Sequence, residues 1–291
     1  MKILALGGSG LVGSRFIDLY SDKFEITSPT HGELDILNAN ELSEIVKRTQ
    51  PEVVVNFTGY TNVDEAEQEK DNLSGLAYKL NAMAVGNLAK ICAENQTHLM
   101  HLSTDYVFDG TKDSPYIETD KPNPLNWYGR TKRLGEEEIL SINLDFTIAR
   151  PEMPYASRFL KKSDIARTFL KMLEDKKEIN AVSDQKITPI YVDDLVNALA
   201  MIVEKKPKGI YHLASTDHTT PYDLAIMIAD KFNLSKENIN PVLLSEYNQT
   251  RPAKRPQNSY LNVSKFETEF GKGILKTVAE SVDEFKSMLT P

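Results

Sequence analysis

Met1-Lys2-Ile3-Leu4-Ala5-Leu6-Gly7-Gly8-Ser9-Gly10-Leu11-Val12-Gly13 opens the chain. Lys2 to Leu6 is a short apolar run of strand type. Gly7, Gly10 and Gly13 follow at three-residue spacing, and an amphipathic stretch from Leu11 to about Tyr20 comes next. Strand, tight glycine turn and helix together lay a pyrophosphate on a helix N-terminus. The GxxGxxG spacing differs from the GxGxxG fingerprint. It still puts Gly7 where the strand turns, Gly10 where backbone approaches phosphate, and Gly13 where helix packs on sheet. Alone, this motif does not separate nucleotide binding from an ordinary turn.

The rest of the chain supplies the context. Phe24–Ser28, Val53–Phe57, His98–Ser103 and Phe146–Arg150 read as further strands. Helical patterns lie between them at Asn40–Thr49, Leu76–Glu94 and Trp127–Ile142. Val53-Val54-Val55 has the β-branched character of a strand covered on both faces. This alternation predicts an α/β fold with a doubly wound parallel sheet. Beyond Pro151 the alternation loosens. Helices are expected over Ser163–Leu173, Val192–Val203, Tyr222–Phe232 and Val278–Leu289, with extended pieces at Lys186–Tyr191 and Gly209–Leu213. The expected layout is a nucleotide domain of residues 1–150 and 186–214. A smaller, discontinuous substrate lobe would take residues 151–185 and 215–291. Ligand belongs in the cleft at the C-terminal strand ends.

Composition narrows the function classes. With 34 Lys and Arg against 42 Asp and Glu, the 291 residues carry a net charge of −8. Such a surface repels nucleic acid. Cys92 is the single cysteine, which excludes an intrachain disulfide and a multi-cysteine metal site. No apolar run of about 20 residues and no signal peptide are visible. These features predict a cytoplasmic protein with no membrane partner.

Tyr128 and Lys132 stand four apart on one predicted helix and so share a face. A phenol beside an ammonium gives up its proton more easily. Reduction of a carbonyl creates an alkoxide that needs such a proton. Ser103 and Thr104 present hydroxyls where the fourth strand ends, and the Thr104 hydroxyl can orient the reacting oxygen. The 23 residues between Thr104 and Tyr128 are long for a loop unless they build a substrate wall. Tyr106 and Phe108 on it are candidates for core or for the pocket. Arg251, Lys254 and Arg255 offer positive charge to a diphosphate, or form a solvated turn. The acidic run Asp64, Glu65, Glu67 and Glu69 reads as a solvated helix start. Asp193 and Asp194 read as helix caps. The five histidines form no ligand pattern, so no metal residue is assigned.

The chain resembles the extended short-chain dehydrogenases/reductases, and among them the dTDP-4-dehydrorhamnose reductase family. The matching stretches are GGSGLVG at Gly7–Gly13, LDI at Leu34–Ile36, VDEAE at Val63–Glu67, LSTDYVFDG at Leu102–Gly110, YGRTKRLGE at Tyr128–Glu136 and RPQNSYLNVSKF at Arg255–Phe266. The resemblance implies NAD(P)H-dependent reduction of the C4 keto group of dTDP-4-dehydro-L-rhamnose. It makes Thr104, Tyr128 and Lys132 the catalytic triad, with Tyr128 as the acid. It places Gly7, Gly10, Leu11, Val12, Gly13, Asp35, Ile36, Thr58, Gly59, Tyr60, Asn81 and Ser103 at the cofactor with Tyr128 and Lys132. It places Met153, Arg255 and Asn258 near the nucleotide sugar, and Thr104, Tyr106 and Phe108 are expected to line the substrate site with them.

Met153 stands near a position where the family has tryptophan, which leaves a reductase of another nucleotide sugar or small ketone as an alternative. The family also includes the non-catalytic beta subunit of methionine adenosyltransferase, so an NAD(P)-binding regulatory subunit is a second one. Dehydratases place Thr-Asp-Glu where this chain has Thr104-Asp105-Tyr106, which argues against dehydration. Neither an acidic nor a basic residue follows the second strand to decide between NADH and NADPH; Arg15 tips the expectation towards NADPH. Relatives bind magnesium between subunits, but no ligand is assigned here, and a homodimer is left open.

Overall fold

The structure is a computed structural model describing residues 1–158 and 163–289. In chain order the first half runs β1 (Lys2–Leu6), α1 (Leu11–Tyr20), β2 (Glu25–Thr27), α2 (Ala39–Thr49), β3 (Val53–Asn56), α3 (Val63–Gln68), α4 (Leu76–Tyr78), a π-helical turn (Lys79–Met83), α5 (Ala84–Glu94), β4 (His98–Leu102), a 3-10 turn (Asp105–Val107), α6 (Trp127–Leu140) and β5 (Phe146–Pro151). The second half runs α7 (Ile165–Glu174), β6 (Ile179–Val182), α8 (Val192–Lys205), β7 (Gly209–Leu213), α9 (Pro221–Phe232), β8 (Ile239–Val242), α10 (Leu244–Gln249), α11 (Ser264–Phe270) and α12 (Val278–Leu289). No described helix is long and apolar enough to cross a membrane.

Six strands form one parallel sheet in the order β2-β1-β3-β4-β5-β7. The expected doubly wound α/β architecture is therefore present. β3 is buried at every residue because helices cover both faces, and this is why its sequence is an unbroken β-branched run. One face packs Ile3, Ala5, Val53 and Val55 with Phe16 of α1 and Leu195 and Leu199 of α8. The other packs Leu4, Leu6 and Val54 with Leu42 of α2, Leu88 of α5 and Ile139 of α6. The direction of winding reverses between β1 and β3, which leaves a crevice at their C-terminal ends.

A third core joins Leu170 and Leu173 of α7, Leu224 and Ile228 of α9, and Val282 and Phe285 of α12 over Ile179 and Ile239. The last two residues belong to a separate parallel pair, β6 and β8. Neither strand is expected from the sequence, nor are α10 and α11. Lys186–Tyr191 makes only isolated bridges.

Candidate active site

The glycine turn bends at Gly7, whose φ of +81° is a left-handed value that suits glycine. A Cβ at Gly13 would lie 2.5 Å from the Gly7 carbonyl oxygen, so α1 reaches the turn only because Gly13 has none. The α1 N-terminus has no side-chain cap, and the Leu11 and Val12 amides belong to its free first turn. Gly10 N–H bonds the Gly7 carbonyl and closes the turn. A cradle of bare backbone at an uncapped helix end, lying in the sheet crevice, fits a dinucleotide pyrophosphate.

The crevice leads on to the other candidates. A Cβ at Gly7 would lie 2.9 Å from Thr58 N, so the turns after β1 and β3 touch. A Cβ at Gly59 would lie 3.0 Å from Asn81 Oδ1 and 3.8 Å from Lys132 Nζ. Asn81 sits in the π-helical turn, a distortion that often marks functional sites. Its amide accepts from Tyr60 N at 2.8 Å and donates to the Tyr60 carbonyl and to Thr131 Oγ1. Tyr60, Tyr106 and Tyr128 share one aromatic cluster with Trp127, and the rings of Tyr106 and Tyr128 meet edge to face at 5.7 Å.

Tyr128 and Lys132 lie on α6, both buried. The helix starts at Asn126, whose side chain accepts from Gly129 N at 2.9 Å. Gly129 lets α6 approach the turn after β4, because a Cβ there would meet the Tyr106 carbonyl oxygen. Thr104 stands at the start of the turn after β4, and its hydroxyl acts electrostatically on the Tyr128 phenol. It also donates to Asp105 Oδ1 at 2.9 Å and accepts from Tyr106 N. Burial raises the Tyr128 phenol well above its ordinary range, with Thr104 acting against it. Burial outweighs every other influence on the phenol. The Lys132 ammonium turns to the Leu102 carbonyl at 2.7 Å, and burial lowers it to about 8. The phenol therefore rests protonated, as a proton donor requires.

Several of the other candidate residues have partners within the protein. The Ser103 hydroxyl donates to Glu136 Oε1 at 2.6 Å and so braces α6. Thr58 gives both its N–H and its hydroxyl to Asn56 Oδ1. Phe108 is core, stacked on Tyr116 at 4.1 Å beneath the Arg150 guanidinium. Asn258 ties two loops, donating to the Lys112 carbonyl while its own N–H meets the Gly110 carbonyl. Arg255 forms a two-pronged ion pair with Asp64 at 2.7 and 2.9 Å, so its charge is already matched. Asp35 accepts from Leu37 N within its own turn, and Ile36 is buried in the core. Met153 follows β5 with a left-handed φ of +40°, half-buried.

The acidic run, at most partly buried, is tied to the rest of the protein. Asp64 binds Arg255, Glu65 accepts from the Tyr60 hydroxyl, Glu67 accepts from Trp127 N at 2.7 Å, and Glu69 accepts from Ala77 N. Asp193 and Asp194 do not cap α8. Asp193 holds Arg15 through two bonds of 2.7 Å, and Asp194 holds Lys276 and Ser281. Arg15 is thus tied to α8. Among the described residues no group of three or more His, Cys, Asp or Glu could hold a metal ion.

Two buried carboxylate centres escape the sequence reading. Glu136 accepts from Arg150 Nε and Nη2 at 2.8 and 2.7 Å as well as from Ser103. Its spacing, one turn beyond Lys132, was the available signal. Glu152 accepts from Ser259 Oγ at 2.6 Å and Thr188 N at 2.8 Å, beside a fully buried Asp105. Burial and the neighbouring Glu152 charge push the Asp105 carboxyl well above its ordinary range. A glutamate directly after a buried strand was its only trace in the sequence.

The sequence and the fold both have known relatives. The family model described as the RmlD substrate binding domain matches residues 1–288. The chain is 32% identical to a dTDP-4-dehydrorhamnose reductase of Aggregatibacter actinomycetemcomitans over 93% of each chain. It is also 32% identical to the methionine adenosyltransferase 2 subunit beta of Bos taurus, over 92% of this chain and 82% of that one. A dTDP-4-dehydrorhamnose reductase of Bacillus anthracis, solved in complex with NADP, superposes with a TM-score of 0.90 over 99% of both chains at 26% identity.

Proposed function

Because the chain belongs to the RmlD family of extended short-chain dehydrogenases/reductases, we propose that it reduces the C4 keto group of dTDP-4-dehydro-L-rhamnose to give dTDP-L-rhamnose. The observation that carries this reading is the buried, protonated Tyr128 phenol beside the Thr104 hydroxyl, at the end of a crevice that starts at the glycine cradle. When bound, NADPH or NADH supplies the hydride. The backbone of Gly7–Gly13 holds the pyrophosphate, and Gly59 and Lys132 border the part of the crevice nearest Tyr128. Thr104 and Tyr128 grip the keto oxygen from two sides, and Tyr128 passes its phenolic proton to that oxygen as charge develops on it. Tyr60, Tyr106 and Trp127 wall the phenol off from water, which strengthens both bonds.

The substrate side comes from the loops that follow β4 and β5. Asp105 and Glu152 lie at the roots of those loops, and Ser259 and Thr188 join them, so one buried carboxyl pair sets the floor of the sugar site. Met153 leaves that floor on a strained backbone. Steady-state turnover of dTDP-4-dehydro-L-rhamnose with NADH and NADPH, supplied separately, tests the reading. Oxidation of cofactor that depends on the sugar nucleotide supports it. The relatives named methionine adenosyltransferase 2 subunit beta favour a second reading. A chain that binds NADPH and never turns over would belong with them.

A further inference from the structure

Behind Lys132 lies a buried imidazole that the steps above do not use. β3 and β4 run in register with Asn56 opposite His101, so the two side chains emerge on the same face. Both are fully buried. The Asn56 amide has one allowed orientation. Its Oδ1 accepts the Thr58 N–H at 3.0 Å and the Thr58 hydroxyl at 2.5 Å. Turned round, the amide nitrogen would face a backbone donor. Its Nδ2 therefore faces His101 Nδ1 at 3.2 Å. An amide nitrogen only donates, so His101 Nδ1 is the acceptor and is bare. A neutral imidazole then carries its proton on Nε2. Nε2 lies 3.4 Å from Lys132 Nζ. An ammonium at that point opposes one N–H with another, whereas an amine turns a lone pair to it.

We propose that His101 is a positioning residue for Lys132: locked by Asn56 with its proton on Nε2, it favours the amine of Lys132 over the ammonium. Other groups around the lysine are consistent with this. Burial pushes Lys132 the same way, to about 8, while Glu136, one turn further along α6, pulls against it. Arg150 largely matches the Glu136 charge. Asn81, reached across Gly59, is neutral, and Tyr128 rests as the phenol. Burial and the Lys132 charge hold His101 well below its ordinary range, so it stays neutral. The consequence for turnover rests on the reductase reading: a lysine that passes easily into the amine returns a proton readily to the phenolate left at Tyr128.

The tautomer can be tested without substrate. Nuclear magnetic resonance of protein labelled with 15N-histidine, with the His101 signals identified by their loss in His101→Gln, should show Nε2 protonated and Nδ1 bare throughout the neutral range. A proton on Nδ1, or an imidazolium near neutrality, would overturn the proposal. Lysine labelled with 13C at Cε then reports the Lys132 titration directly. Asn56→Asp gives Nδ1 a carboxylate to donate to and turns a bare Nε2 to the lysine, and His101→Gln can offer it a carbonyl. Each should raise the Lys132 midpoint by about one unit. The basic limb of kcat should rise with it. A midpoint that stays in place or falls in both variants contradicts the proposal. Absence of turnover in the parent chain would sink the reductase reading alone.

Discussion

Glu136→Leu tests whether the catalytic helix is held by a buried charge pair. Glu136 and Arg150 side chains are 0% and 1% exposed. Among the described residues, substitution leaves the guanidinium facing His212, at 3.5 Å, and the Phe108 ring. It also strips Ser103 of its acceptor. Breaking one side of a buried pair costs about 3–5 kcal/mol. In a chain of this size that lowers Tm by roughly 10 °C. Adding Arg150→Met removes the stranded charge, and most of the loss should return, since an apolar pair of similar volume is often nearly neutral. Circular dichroism of both variants through thermal and urea unfolding gives the numbers. Burial acts to raise the Glu136 carboxyl, but Arg150 and Ser103 hold it below its ordinary range. The pair's contribution is therefore complete above about pH 4.3 and is lost as pH falls below it. A Glu136→Leu protein within about 1 kcal/mol of the parent would refute the reasoning, as would a double variant no more stable than the single one.

Other consequences are simpler to read. Gly13→Ala drives a Cβ into the Gly7 carbonyl. It should cost about 1–3 kcal/mol and weaken NADPH and NADH binding together, as followed by calorimetric titration. Arg15→Met removes the tie to Asp193; it should cost on the order of 1 kcal/mol and leave the ratio of NADPH to NADH affinity unchanged. A large fall in that ratio would identify Arg15 as a 2′-phosphate ligand. Thr104→Val should lower kcat about tenfold or more with KM for cofactor unaltered.

The large sheet was legible because its central strands are covered on both faces. Val53-Val54-Val55 and Lys2–Leu6 then have only one reading, and their register follows from the fold. β6 and β8 were not legible. They read Ile-Asn-Ala-Val and Ile-Asn-Pro-Val, each with exposed residues, and they pair only with one another. The π-helical turn was hidden as well, since one extra residue barely disturbs the apolar periodicity of Leu76–Glu94.

For the site, spacing along α6 gave the shared face of Tyr128 and Lys132. Residue type and neighbourhood said little about Ser103, Phe108, Asn258 or Arg255. Which way those side chains turn is decided by partners distant in the chain: Glu136, Tyr116, Lys112 and Asp64. Glu136 and Glu152 were missed because a charged residue is expected at the surface, and only the tertiary pairing explains its burial.

Tyr128→Phe puts the central claim to the most direct test. Single-turnover oxidation of bound NADPH by dTDP-4-dehydro-L-rhamnose should slow about 10²–10⁴-fold, while cofactor affinity measured by fluorescence stays within about twofold of the parent. A variant that oxidises its cofactor at close to the parent rate would show that the proton comes from elsewhere.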